Sequence, residues 1–340
     1  NKMTLAINGG EPVRRRPWQR QICLNEDDRN AVNRVLDSGF LSGYRANSAG
    51  QYGGFEIKAL VKEWCEKFEV EYAIPCNSAT SGIMICLLSS GVRHASVSVS
   101  PYSMTCSASL PLLYGVDPTF SDIDEDYFQL ENSDCNISIP VSLFGHPLSE
   151  IYAEDYVIED SAQCVSKQIY ETEYRVHSFT TGKHISAGEG GMITTNKKDL
   201  YRIANRVMNH WESVAHEQGA TGSGVGMNLR MTEIQAALVR SQLRRLDENV
   251  RIRQENAAFL NEGLQQIPGI RPAKTNEEGV HSYYCAPFHY ERSSVHRDQF
   301  IAAVKAELSN IRVNTGYIKP LYRFPCFSAE KNALRLPVVE

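Results

Sequence analysis

Lys183 stands in the run Ser178-Phe179-Thr180-Thr181-Gly182-Lys183-His184-Ile185-Ser186-Ala187-Gly188-Glu189-Gly190-Gly191, a lone lysine among small and hydroxylated residues closed by a glycine-rich turn. A lysine amine becomes nucleophilic when burial or nearby positive charge lowers its pKa, and small neighbours leave room for a bulky aldehyde. The same run also suits an exposed loop lysine. A P-loop does not fit: the first glycine of its pattern would fall at His177, and the residue after Lys183 is His184, which has no hydroxyl for magnesium.

Three other segments carry candidate chemistry. In Ile158-Glu159-Asp160-Ser161-Ala162-Gln163 an acid ends a run that reads as a buried strand, the place where open α/β sheets bind ligands; a helix N-cap is the plain alternative. Asn77-Ser78-Ala79-Thr80-Ser81-Gly82 follows a strand pattern and opens a helix, so its leading N–H groups and the helix dipole could hold an anion, although any capped helix start looks similar. Gly226-Met227-Asn228-Leu229-Arg230-Met231 precedes a helical pattern, where Asn228 and Arg230 could simply cap the helix and face water. Together the four meet the needs of pyridoxal 5'-phosphate (PLP): an amine for its aldehyde, a phosphate cradle and a carboxylate for its pyridinium nitrogen. Lys183 can supply the Schiff base, Ala79 and Thr80 N–H groups for phosphate with the Ser178 hydroxyl beside them, and Asp160 the carboxylate that keeps the ring an electron sink.

The elements that must position these groups follow from alternation. Strand patterns at residues 72–76, 96–100, 119–123, 137–143, 156–158, 176–179 and 191–195 are separated by helical ones, which implies crossover connections and a mainly parallel sheet. Residues 230–250 carry Ile234, Ala237, Leu238 and Leu246 at helical spacing and predict one long amphipathic helix leading out of a large domain. Beyond residue 268 the pattern changes to a strand at 283–290, a helix at 297–308 and a strand at 311–315, a smaller α/β unit. The expected division is 1–245 for the large cofactor-binding domain with its N-terminal segment and 246–340 for the small C-terminal domain.

Bulk properties exclude several classes. The 340 residues are 42% hydrophobic and 22% charged with a net charge of −5, ordinary for a globular protein and without the basic footprint of nucleic-acid binding. No polybasic block suits a membrane surface, no apolar stretch is long enough to span one, and the N-terminal sixteen residues have no apolar core of a signal peptide. The nine cysteines contain no C-x-x-C and their number is odd, which argues for free thiols in a reducing cytoplasm rather than a disulfide framework or a metal site.

The order and wording of the segments resemble the DegT-type sugar and cyclitol aminotransferases, members of fold type I of PLP-dependent transferases, the aspartate-aminotransferase-like α/β fold. The likeness extends from Leu5-Ala6-Ile7-Asn8-Gly9-Gly10 to Leu336-Pro337 and takes in Asn77-Ser78-Ala79-Thr80, Pro101-Tyr102-Ser103-Met104-Thr105, Val141-Ser142-Leu143-Phe144-Gly145, Glu159-Asp160-Ser161-Ala162-Gln163, the Lys183 run and Gly226-Met227-Asn228-Leu229-Arg230-Met231. The resemblance implies that Lys183 is the Schiff-base lysine and proton shuttle, Asp160 the pyridinium partner and Gln163 the partner of the ring hydroxyl. It implies a phosphate cradle of Ala79, Thr80 and Ser178. Asn228 would reach the phosphate of a neighbouring subunit, hence a homodimer with shared active sites. Ser42, Tyr44, His281 and Tyr317 are candidates for substrate contact and equally for structural roles.

The chain departs from the family pattern in three places. Met104 stands where many relatives place an aromatic ring over the cofactor; a thioether can cover a pyridine face, and Tyr102 is a second candidate. The connection 147–156 is short, so a helix there is expected to be lost. The sequence stops soon after Leu336-Pro337, where relatives continue into a final helix, so a reduced small domain or an absent tail is expected.

The implied activity is amino transfer from glutamate or glutamine, through pyridoxamine phosphate, to a keto sugar, most naturally a nucleotide-linked one, in surface-polysaccharide or secondary-metabolite biosynthesis, with ping-pong kinetics. The alternatives are a cyclitol ketone such as a scyllo-inosose as acceptor, and a pyridoxamine-phosphate-dependent sugar dehydratase. Members of the latter branch carry histidine at the Schiff-base position, so Lys183 favours transamination. A non-catalytic relative of the fold is disfavoured by the presence of Lys183, Asp160 and Gln163. A dinucleotide-binding oxidoreductase is disfavoured by the absence of G-x-G-x-x-G after the first strand.

Overall fold

A computed structural model describes residues 4–18, 24–45, 51–131, 134–149, 156–212, 222–275, 280–291, 294–317, 319–332 and 334–338. Its centre is a seven-stranded sheet of β1 (Tyr72–Cys76), β2 (Val97–Val99), β3 (Thr119–Phe120), β4 (Ile137–Ile139), β5 (Tyr156–Asp160), β6 (Tyr174–Ser178) and β7 (Gly191–Thr195), in the order β1-β7-β6-β5-β4-β2-β3. β7 runs antiparallel to both neighbours, and the other pairings are parallel. The strands are buried on both faces, as the near-continuous apolar wording of β1 and β7 requires. The expected mainly parallel α/β sheet is therefore present, and β7 is its one reversed strand.

Around it lie α1 (Glu26–Ser38), α2 (Phe55–Phe68), α3 (Ala79–Ser89), α4 (Thr105–Leu113) and α5 (Lys198–Met208). α3 is apolar on nearly every side, packs on β1, β5, β6 and β7, and buries Ile83, Ile85, Cys86 and Leu87. The core continues through Trp64, Phe179 and Ile193.

The predicted long helix over 230–250 is two helices, α6 (Glu233–Leu243) and α7 (Leu246–Leu264). The break at Arg244–Arg245 is tied down: the Arg245 guanidinium bonds both carboxylate oxygens of Asp28 on α1, at 3.1 and 2.6 Å. The apolar spacing is continuous across the break, so periodicity could not reveal it. α6 opens with a capping box between Thr232 and Gln235.

Beyond α7 a two-stranded sheet pairs β8 (Ile270–Pro272) with β9 (Phe288–Tyr290), followed by α8 (Arg297–Glu307) and α9 (Ala329–Asn332). The strand expected over 283–290 is confined to β9. Residues Ser282 and Tyr284 instead give their N–H groups to Gly145 and Phe144 of the large sheet's loops, and Tyr283 takes a left-handed φ of 48° that ends any extended run. The strand expected over 311–315 has no ladder partner among the described residues and is an extended connection. The N-terminal segment is fastened to α8: the N–H groups of Ala6 and Val13 donate to the Glu307 carboxylate, and that of Arg14 to its carbonyl. Most of the short connection after Pro147 lies outside the described residues.

Candidate active site

The sheet register brings the candidate residues to one edge. Cys76 and Ser178 both pair with Gly191, and Asp160 pairs with Val176. The carboxyl ends of β1, β5 and β6 and the start of the reversed β7 therefore share a rim. Asp160, Ser178 and the N-terminus of α3 stand on it, and the Lys183 loop leaves from β6.

Asp160 is 4% exposed. Its Oδ1 accepts the Ala162 N–H at 3.0 Å and its Oδ2 the Ser107 hydroxyl at 3.2 Å. This Asx-type turn replaces the helix cap that the sequence equally allowed, since no helix follows β5. Burial raises the Asp160 pKa, opposed by Ala162, Lys183 and Ser107. Burial also lowers the pKa of Lys183, and the Asp160 charge opposes it. Lys183 Nζ lies 4.4 Å from the centre of the Tyr284 ring. It is thus a desolvated amine, not the exposed loop lysine.

Gln163 is buried and bridges two elements: its Oε1 accepts the Phe144 N–H at 2.8 Å and its Nε2 donates to the Tyr317 hydroxyl at 3.0 Å. Tyr317, with Tyr102 edge-on at 5.0 Å, thereby joins the site. Beneath the rim, Glu159 points its charge to the other side of β5. Its Oε1 accepts from Arg175 Nε at 3.0 Å, Ser142 Oγ at 2.6 Å and Ser161 Oγ at 2.7 Å. This satisfied buried pair locks β5 against β6, the two strands that carry Asp160 and Ser178.

At the start of α3, Ser78 caps the Ser81 N–H, while the leading N–H groups of Ala79 and Thr80 have no partner within the helix. A Cβ placed on Gly191 would lie 2.6 Å from Ser78 C and 2.7 Å from Ala79 N, so only glycine lets β7 approach this turn. The Ser178 hydroxyl is buried at the end of β6 and accepts from Thr180 N at 3.4 Å.

The remaining candidates divide. Met104 is 57% exposed, at the N-cap of α4 and one turn before Ser107. Asn228 is exposed and accepts from Arg230 Nε at 2.8 Å; its neighbour Leu229 accepts the Asn77 N–H at the end of β1. Ser42 is exposed on the loop leading to α2. Tyr44 is buried in the core, with Arg230 5.6 Å from its ring and Tyr52 and Tyr201 lining a small cavity beside it. His281 is buried against Tyr283, with ring centres 3.9 Å apart, and edge-on to His146, one segment away from Lys183. Ser107 and Tyr284 were not singled out from sequence. Ser107 lies a few residues beyond the quoted Met104 segment, whereas nothing local marks Tyr284.

The donor set fits PLP: a desolvated lysine, a buried carboxylate lacking a full cationic partner, a buried amide beside it, and a helix start that glycine alone keeps open. Among the described residues no cluster of three or more histidine, cysteine or acidic residues could hold a metal. None of the described helices is long and apolar enough to cross a membrane.

Comparison with known proteins bears on family and fold. The model of the DegT/DnrJ/EryC1/StrS aminotransferase family matches residues 23–340. The GDP-perosamine synthase of Escherichia coli O157:H7 is 27% identical over 289 residues, covering 78% of this chain and 75% of its own. An L-glutamine:2-deoxy-scyllo-inosose aminotransferase of Micromonospora echinospora is 26% identical over 351 residues, covering 92% and 82%. Among solved structures, DesI in the presence of its TDP-sugar product superposes with a TM-score of 0.83 at 20% identity, over 99% of this chain and 88% of that one.

Proposed function

The chain belongs to the DegT/DnrJ/EryC1/StrS aminotransferase family, whose members are PLP-dependent, and from that premise we propose that it transfers the amino group of L-glutamate or L-glutamine to the ketone of a nucleotide-linked sugar. The observation that carries the reading is the gathering of Lys183, Asp160, Gln163, Ser178 and the start of α3 on one rim of the sheet. When bound, PLP supplies an electron sink that stabilises negative charge at the carbon bearing the amine.

The chain's own residues do the rest. Ala79 and Thr80 N–H groups and the Ser178 hydroxyl hold the phosphate. Asp160, uncomfortable as a buried anion, takes the pyridinium N–H and keeps that nitrogen protonated. Gln163 holds the ring hydroxyl from a position fixed by Phe144 and Tyr317. Lys183, with its pKa lowered by burial, binds the cofactor aldehyde. Its amine would hold and move the proton at the donor's α-carbon. Met104 would cover the ring. Ser42, Tyr44, His281 and Tyr317 remain the proposed substrate contacts, of which Tyr317 has the best support through its bond to Gln163.

The same reading includes a cytoplasmic homodimer in which Asn228 reaches across to the neighbouring phosphate. Its exposure supports that role. The division into 1–245 and 246–340 is also part of it, supported by the helix break at Arg244–Arg245. A biosynthetic role in surface polysaccharide or secondary metabolism follows from the acceptor class.

A cyclitol ketone is the second reading, favoured by the scyllo-inosose aminotransferase among the relatives. A panel of keto-sugar nucleotides and cyclitol ketones, run with 15N-labelled glutamate and 15N-amino glutamine, separates the two. The expected result is label in an amino sugar nucleotide. Transfer to cyclitol ketones alone would select the second reading, and transfer to neither would remove both.

A further inference from the structure

The segment His281–Cys285 comes from beyond α7, yet it is fastened to the large sheet's rim. Ser282 N and Oγ both donate to Gly145 O, at 2.7 and 3.1 Å, and Tyr284 N donates to Phe144 O at 2.8 Å. A Cβ on Gly145 would lie 2.6 Å from Tyr283 N and 2.7 Å from Tyr284 N, so the approach depends on glycine there, at φ 104°. From the other side Arg253 Nη1 donates to the carbonyls of Tyr283 and Tyr284, and His184 Nε2 meets the Ser282 carbonyl at 2.8 Å. Because a carbonyl oxygen can only accept, His184 Nε2 donates that bond. Lys183, next to His184, and Tyr284, two residues after Ser282, are thus both set by one strut, His184–Ser282.

We propose that Tyr284 is a positioning residue for the reaction, whose ring face seats the Lys183 ammonium whenever that lysine is not joined to the cofactor. The contact of 4.4 Å lies within the range in which an aromatic face attracts a cation. In ping-pong transamination the amine is free for half of each cycle, and a free four-carbon side chain would otherwise sample many rotamers. The ring holds Nζ at the rim and favours its protonated state, against the burial that disfavours it. The other groups facing this amine are Asp160 from β5, Cys106 from α4, Cys285 beside Tyr284, and His184 on its own loop; Arg253 and Arg312 face Tyr284. Asp160 attracts the ammonium and is shared with the pyridinium when PLP is bound, which leaves the Tyr284 face as the seat that serves the lysine alone. The Phe144 backbone joins this seat to Gln163, since its N–H donates to Gln163 and its carbonyl accepts from Tyr284.

The proposal rests on Lys183 as the cofactor lysine, and the two can fail separately. The test is the Lys183 pKa in the full-length chain, treated with hydroxylamine to free any lysine-bound aldehyde. It is read by peptide-resolved competitive acetylation across pH, on wild type, Tyr284→Leu and Tyr284→Phe. The expected result is a fall of about half to one and a half pKa units in Tyr284→Leu and little change in Tyr284→Phe, which keeps the aromatic face. An unchanged pKa in Tyr284→Leu, or an equal fall in Tyr284→Phe, overturns the seat. If Tyr284→Leu does not fold, Tyr284→Trp serves in its place: the stronger face raises the pKa, and a fall overturns the proposal. Failure of the underlying reading shows instead as no PLP trapped on wild-type Lys183 by borohydride.

Discussion

Burial works on Asp160 and Lys183 in opposite chemical senses, raising the pKa of the acid and lowering that of the amine. Both shifts favour neutral groups, which suits the proposed roles: a carboxyl with no full cationic partner of its own for a pyridinium nitrogen, and an unprotonated amine to attack an aldehyde. Asp160→Asn keeps the shape and the Ser107 contact but cannot hold a proton on the ring nitrogen. Amino transfer should fall by about 10²–10³-fold, measured in single-turnover reactions at saturating PLP. A loss of less than tenfold contradicts the role. At this scale the sequence was most informative where chemistry and local wording coincide. Lys183, Asp160, Gln163 and Ser178 stand in short segments whose small neighbours signal a ligand. Ser107 and Tyr284 were illegible because their partners, Asp160 and Lys183, lie 53 and 101 positions away and no local pattern encodes the contact.

Among elements, the strands of the sheet could be read from β-rich runs, and their order could not, because pairing is decided by crossover geometry rather than local composition. The helix break at Arg244–Arg245 has no local signal for a related reason: the contact that ties it down is with the distant Asp28. The run 283–290 reads as a strand by composition, but the 281–285 segment at its start spends the N–H groups of Ser282 and Tyr284 on Gly145 and Phe144. That segment also carries a pH dependence. Burial pushes His281 down to about 3 and His184 to about 4, while in an unfolded chain both titrate near 6.5. The unfolded state therefore binds more protons below that pH, and the stability these histidines contribute is present above about 6.5 and is lost as pH falls toward 4 and then 3. Calorimetric melts should show the midpoint dropping through this window, with a shallower slope in His281→Gln. An unchanged slope in that variant contradicts the assignment.

The molecule as a whole exposes large apolar side chains near the α6 N-terminus: Phe40 is 71% and Phe55 75% exposed. Glu233 ties this region together, its N–H donating to Leu41 O and its carboxylate accepting from Gly54, Glu56 and Ile57. Such a set suits the interface of the proposed homodimer, and exposed Asn228 lies shortly before it in the chain. Phe55→Asp should convert a dimer to a monomer by light scattering and weaken PLP retention with it; a wild-type monomer that binds PLP fully contradicts the shared site. Fold class is legible in the sequence because alternating strands and helices leave few architectures, whereas the fastening of the N-terminal segment to Glu307 on α8 has no sequence signal. The central claim is the cofactor on Lys183. Borohydride reduction of the PLP-treated protein, followed by peptide mass mapping, tests it most directly. A single phosphopyridoxyl group on the peptide containing Lys183 is expected, abolished by prior L-glutamate or L-glutamine. Its appearance on another lysine, or on none, would contradict the account.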